Sequence, residues 1–146
     1  MKYIITFLVC IVSATVIGQT TWKTFSHKNG FTILLPDYFN TGLLVAGGTL
    51  QYYSTELDDQ IYVSIETGGK PEELQASFER DLQSDEITYK VIKPTWYVIS
   101  GKQEGDIFYN KTIIKNGVLQ YLRIRYPVKD KTIMDDIIPK IAASFK

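Results

Sequence analysis

Cysteine and histidine are almost missing from this chain of 146 residues, which holds one of each, Cys10 and His27. Cys10 sits inside an N-terminal apolar run. A chain that loses this run keeps no thiol, hence no disulfide, no thiol nucleophile and no thiolate metal site. A single histidine leaves little for base catalysis, because Ser-His or Cys-His devices need a positioned imidazole. His27 lies in the turn sequence "SHKNG", where a solvated turn residue is the plainer reading. Zinc would depend mostly on carboxylates, which is unusual, so no metal or cofactor is expected. An excess of charge is also missing, with 16 Lys and Arg against 16 Asp and Glu. That balance excludes the basic surface that nucleic acid demands. Internal repeats, low-complexity tracts and Ser/Gly linkers are absent as well.

What is present begins with "MKYIITFLVCIVSATVIGQ". Lys2 precedes an apolar run from Tyr3 to Ile17, and Ser13, Ala14 and Gly18 supply small residues. This is the layout of a secretory signal peptide. The run falls short of the roughly 20 residues that span a bilayer comfortably, which argues against an uncleaved anchor. Val9 precedes Cys10 and the run continues past it, unlike a lipoprotein signal. Cleavage is expected after Gly18, with Ala14 as the alternative. The organisation is then a signal peptide over 1–18 and a single domain over 19–146. Localisation would be secreted or periplasmic, with membrane contact only through the signal segment before cleavage. A domain of about 125 residues is large enough to be held by its core without disulfides. Cysteine-free export also favours a bacterial cell envelope.

The mature chain reads as strands, a helix, strands and a helix. "TWKTFSH" and "FTILLP" flank "HKNG", whose Asn29-Gly30 is a hairpin signal. "GTLQYYST" and "QIYVSIET" are rich in residues that suit a pleated surface. In "GGKPEELQASFERDLQS", Pro71 suits a first helical turn, and Glu72 and Glu73 suit a positive helix end. Leu74, Phe78 and Leu82 then form one apolar stripe. Four long strands follow: "ITYKVIKP", "TWYVISGK", "DIFYNKTIIK" and "VLQYLRIRYP". Gly101 and Gly105 in "WYVISGKQEGDIFYNK" predict a sharp turn or a close backbone approach, and Asn116-Gly117 predicts another turn. The last segment places Ile133, Ile137, Ile138, Ile141, Ala142 and Phe145 at helical spacing. Pro139 lies among them and predicts a kink or a restart. The fold class is α+β, an antiparallel sheet with segregated helices.

In that order, "GFTILLP", "PEELQASFERDL", "WYVISGKQEGDIFYNK" and "NGVLQYLRIRYP", followed by a helix ending "IAASFK", resemble the Mog1/PsbP-like superfamily. Among its members the chain resembles the bacterial exported PsbP-like and DUF1795-type domains. The resemblance spans about Trp22 to Phe145 and rests on structural motifs. It implies a central antiparallel β-sheet flanked by helices, an α/β/α sandwich. It also implies a non-enzymatic accessory, adaptor or binding role, with partners that differ between members.

The candidate chemistry is thin. "TGGKP" lacks the spacing of a phosphate loop, and Glu72 and Glu73 would repel an anion. Asp58-Asp59 and Asp135-Asp136 are adjacent pairs, which suit a turn and a helix first turn better than a calcium loop. Asp37, Glu56, Glu66, Glu104 and Asp106 are loose candidates for a carboxylate pair. In "LQYLRIRYP", alternation puts Leu122, Ile124 and Tyr126 on one face and Tyr121, Arg123 and Arg125 on the other. Arg and Tyr together make a candidate partner-binding patch, unless a helix covers that face and acids pair with the arginines. Tyr52, Tyr53, Tyr97 and Tyr109 could line a groove or serve as cross-strand pairs. The expectation is an exported, non-enzymatic module that engages an envelope or extracellular protein or peptide. The alternatives are a small carboxylate-dependent hydrolase and a carrier of a small apolar ligand between sheet and helix.

Overall fold

The computed structural model describes residues 20–27, 30–39, 43–44, 49–54, 57, 60–84 and 86–146, with 43–44 described as backbone only. The signal segment, its cleavage site, Cys10, Asn29, Glu56 and Asp58-Asp59 lie outside the described residues.

Among the described residues, nine strands and two α-helices are formed. They are β1 (Trp22–Ser26), β2 (Thr32–Pro36), β3 (Leu43–Leu44), β4 (Leu50–Tyr53), β5 (Tyr62–Thr67), β6 (Glu86–Lys93), β7 (Trp96–Gln103), β8 (Asp106–Lys115) and β9 (Val118–Pro127). Helix α1 covers Leu74–Asp81 and α2 covers Lys131–Ser144. Strands β1 and β2 pair as a separate hairpin. The other seven form one antiparallel sheet in the order β3-β4-β5-β9-β8-β7-β6.

Turn chemistry sets the meander β6–β9. Glu104 and Gly105 have φ of 53° and 88°, and Asn116 and Gly117 have φ of 53° and 75°. Positive φ at both central residues is the I′ geometry that matches strand twist. Gly101 has a different purpose. A Cβ there would lie 1.9 Å from the Glu86 carbonyl oxygen. The β6–β7 register shifts beside it, between Ile87 and Tyr89, so the glycine admits a bulged backbone.

Alternation along β9 divides the core in two. Leu122, Ile124 and Tyr126 join Val63, Ile65, Met134, Ile137, Ile138 and Ile141 under α2, with Phe31, Ile33 and Leu35 of the hairpin region. Leu119 and Tyr121 point the other way and join Leu74, Phe78, Tyr97, Ile99 and Phe108 under α1. One helix therefore covers each face, and the sandwich is α/β/α.

Three details differ from the sequence pattern. Pro71–Glu73 is a 3-10 turn and α1 ends at Asp81, so Leu82 lies just past the helix and is only partly buried. Helix α2 runs without a break through Pro139, which is exposed. A solvent-facing proline leaves its freed carbonyl to water while the opposite side stays packed. Ile133 is 44% exposed and Met134 is fully buried in its place. The first turn of α2 is thus rotated one residue from the apolar spacing.

The C-terminal end of α2 is tied on two flanks. On one, the Leu34 backbone N–H donates to Ser144 Oγ at 2.8 Å, and Thr32 and Lys146 exchange backbone bonds of 3.0 and 3.2 Å. On the other, Lys111 Nζ of β8 donates to the carbonyls of Ala142 (2.5 Å) and Phe145 (3.4 Å).

Candidate functional site

Tyr121, Arg123 and Arg125 do share one face of β9, and the fold treats each differently. Tyr121 is buried, and the Arg123 guanidinium carbon lies 5.5 Å from its ring centroid. Arg123 reaches the end of α1, where its Nη1 donates to Asp81 Oδ1 and Oδ2 at 3.3 and 3.2 Å. Asp81 is 8% exposed and accepts further bonds from Tyr97 Oη (2.9 Å) and Asn110 Nδ2 (3.3 Å). Ser77 Oγ lies 2.9 Å from Tyr97 Oη and accepts from Arg80 at 3.2 Å. A buried charge is tolerated when it is paired and hydrogen-bonded, and this carboxylate has both. The Tyr97 hydroxyl is pushed up to about 12, first by burial. This cluster fastens α1 to the sheet.

Arg125, two residues along, lies at the open end of the strand. Its Nε donates to Asp106 Oδ2 at 3.1 Å, and its Nη2 donates to Glu104 Oε2 at 3.0 Å and to the Gln103 carbonyl at 3.1 Å. The I′ turn between β7 and β8 presents those acceptors. The hydrogen bond to Glu104 chiefly raises the pKa of Arg125. With Tyr53, Gln60 and Tyr62, these groups line an open cleft of about 540 Å³. The Tyr53 and Tyr62 rings are 6.3 Å apart at 51°, and Tyr53 Oη donates to Gln51 at 2.5 Å.

The other candidates scatter. Asp37 lies in the turn after β2, where its carbonyl accepts from Lys23 Nζ at 3.4 Å. Glu66 is exposed on β5. Asp135 pairs with Lys131 along the exposed side of α2, and Asp136 is exposed. His27 stacks on Phe31, with centroids 5.3 Å apart. Tyr52 is buried against Phe25, Tyr97 lies under α1, and Tyr109 lies on the opposite, α2 side. The tyrosines therefore do not share one groove. Among the described residues no group of three His, Cys, Asp or Glu could hold a metal ion.

Sequence reasoning missed two features. One is the Asp81 anchor, 42 residues from Arg123; its only signal was an acid ending an apolar helical stripe. The other is Lys111, a cation between Tyr109 and Ile113 on the α2-facing side of β8.

An antiparallel seven-stranded sheet with one helix on each face defines the PsbP-like α+β fold. The comparison that shows it is the solution structure of cyanobacterial PsbP (CyanoP) from Synechocystis sp. PCC 6803. That structure matches at a TM-score of 0.61 and 11% identity, over 93% of this chain and 98% of that one. At this identity the likeness is one of fold. No family model matches the chain, and no curated protein matches it.

Proposed function

We propose that this protein is an exported, non-enzymatic binding or assembly-accessory module that engages a segment of an envelope or extracellular protein. The cleft at the Arg125 end of β9 carries this reading. It is concave and open, and it combines two tyrosines with an arginine. These side-chain types dominate binding hot spots because they give large contact area and oriented hydrogen bonds. Two carboxylates against one guanidinium leave a net negative charge in the cleft. A partner segment presenting a Lys or Arg side chain fits that charge, and the tyrosine faces add cation–π attraction. Tyr121 and Arg123 support the cleft from beneath α1 and do not themselves present to the partner.

The cleft lends no support to a carboxylate hydrolase. Glu104 and Asp106 both converge on the Arg125 guanidinium. A hydrolytic pair would instead face each other across a bond to be cut.

The test is a pull-down from the native cell envelope with the mature chain, beside Tyr62→Ser and a control, Glu79→Gln, on the exposed side of α1. The expected result is one stoichiometric partner that the control retains and Tyr62→Ser loses. Cross-linking should place a basic residue of that partner in the cleft. A partner retained by Tyr62→Ser removes this surface, and no stoichiometric partner removes the protein-binding reading.

A further inference from the structure

A second concave site lies on the opposite face of the sheet, independent of the Arg125 cleft. It is a trough between α2 and strands β7 and β8, lined by Trp96, Val98, Tyr109, Lys111, Ile113 and Ala143, with Ala142 beside them. Its volume is about 330 Å³. The floor is sheet and the wall is helix. The wall is low because α2 carries only alanines there.

Lys111 is out of place by pattern. Its row across the sheet reads Leu50, Ile65, Leu122, Lys111, Val98, Val91, from β4 to β6. Every other member is apolar. Two of its three N–H donors go to the Ala142 and Phe145 carbonyls, where the helix C-terminus favours a cation. One donor is left over. Among the described residues no carboxylate forms an ion pair with Lys111, and Lys146 lies near enough to repel it. Burial also lowers its pKa, as expected for an ammonium lacking a counter-charge in apolar surroundings.

The geometry points to a binding site for a small amphiphile with one carboxylate, of the fatty-acid class. The alkyl chain lies along Val98, Ile113 and Trp96, and the carboxylate pairs with Lys111. The volume is at the low end of small-molecule sites. Lys111 supplies the positive charge that a carboxylate complements and that an alcohol or a cation does not use.

Trp96 reports occupancy. In a Trp22→Phe background its emission is followed while the mature chain is titrated with sodium decanoate, 1-decanol or decyltrimethylammonium, each below its micellar range. Decanoate should saturate the signal and bind at least about tenfold tighter than decanol, the value of one charge-assisted hydrogen bond. The cation should not bind. Lys111→Met, checked for folding by its melting curve, should erase the difference between acid and alcohol. Ala143→Phe, which fills the trough and leaves Lys111 in place, should abolish binding of both. Equal affinity for acid and alcohol in the unmutated trough overturns the proposal without any Lys111 variant. So does an acid preference that survives Lys111→Met, binding that survives Ala143→Phe, or the lack of saturable binding.

Discussion

The two faces of the sheet are closed by different physics. Under α1, a short helix of eight residues buries Leu74 and Phe78 and is also fastened by charge and hydrogen bonds: Asp81, Arg123, Tyr97, Asn110 and Ser77 form one connected group. Under α2, a helix of fourteen residues is fixed by apolar burial, with Met134, Ile137, Ile138 and Ile141 packed on Val63, Ile65, Leu122 and Ile124. The short helix brings only two buried apolar side chains, Leu74 and Phe78, to the sheet, and isolated helices of that length are marginal. The longer helix buries enough, yet it leaves β6 and β7 uncovered beside it, where Tyr89 is 55% exposed. Polar fastening thus supplements thin apolar packing on the α1 face, which also carries the Arg125 cleft, and apolar cover on the α2 face leaves the Lys111 trough beside it.

The largest expected effect removes the frame on which both faces rest. Gly101→Val would drive a side chain into the Glu86 backbone and should detach β6, lowering stability by several kcal/mol. Gly105→Ala meets open space and costs only the positive-φ strain, on the order of 1 kcal/mol. Urea unfolding of the two variants checks the contrast.

Asp81→Ala breaks the α1 side alone. It leaves Arg123 and the Tyr97 hydroxyl without their shared acceptor. The cost should be about 3 kcal/mol, at the low end for a broken buried pair because Arg123 is partly exposed. Tyr97→Phe keeps the ring and deletes one donor, at about 1 kcal/mol. If Asp81→Ala costs less than Tyr97→Phe, the carboxylate is not the hub of the cluster.

Much of this architecture is legible in the residues. The β9 alternation assigns Tyr121, Arg123 and Arg125 to one face, and Glu104-Gly105 and Asn116-Gly117 fix two hairpins. The likeness to the PsbP-like fold was legible in the order of motifs. Features that depend on distant partners were not. No local pattern pairs Asp81 with Arg123. Leu43–Leu44 form a strand only because β4 is beside them. The first turn of α2 buries Met134 and exposes Ile133, since packing on the sheet sets the rotation of the helix. Pro139 breaks a local rule at an exposed position where the break is cheap. The candidate site was half visible: Arg125, Glu104, Asp106 and Tyr53 were each named, but apart from one another, and their meeting with Tyr62 and Gln60 depends on the pairing of β4, β5, β8 and β9.

A smaller effect, common to both faces, appears at high pH. Burial pushes Tyr97, Tyr109 and Tyr126 up to about 12 from an ordinary value near 10. A raised tyrosine pKa means the folded state favours the neutral phenol. The stabilisation is complete below pH 10 and is lost as pH rises through about 12. Tyr109→Phe should leave the neutral-pH urea midpoint nearly unchanged and flatten the alkaline decline. A decline unaltered in all three Tyr→Phe variants would mean that other groups drive it.

The smallest expected effect is the most discriminating for the α2 face. Lys111→Met exchanges an ammonium in an apolar row for a thioether of similar length. It loses two charge-assisted bonds to the α2 carbonyls, worth about 1.5 kcal/mol each, and removes the burial penalty of the charge. The terms oppose, so neutral-pH stability should change by less than about 1 kcal/mol. The same change at Asp81 or Arg123 would be severe. The pH trend has a definite sign. Burial, then Lys146, lowers the Lys111 pKa in the folded state. Between that lowered value and the ordinary 10.5, the unfolded chain binds more protons, and stability rises with pH. The unmutated protein should therefore gain on Lys111→Met as pH approaches 10.5. Taking the difference between the two cancels the tyrosines common to both. A difference independent of pH would mean that Lys111 is as well solvated folded as unfolded, and the apolar character of the trough around it would fall with that result.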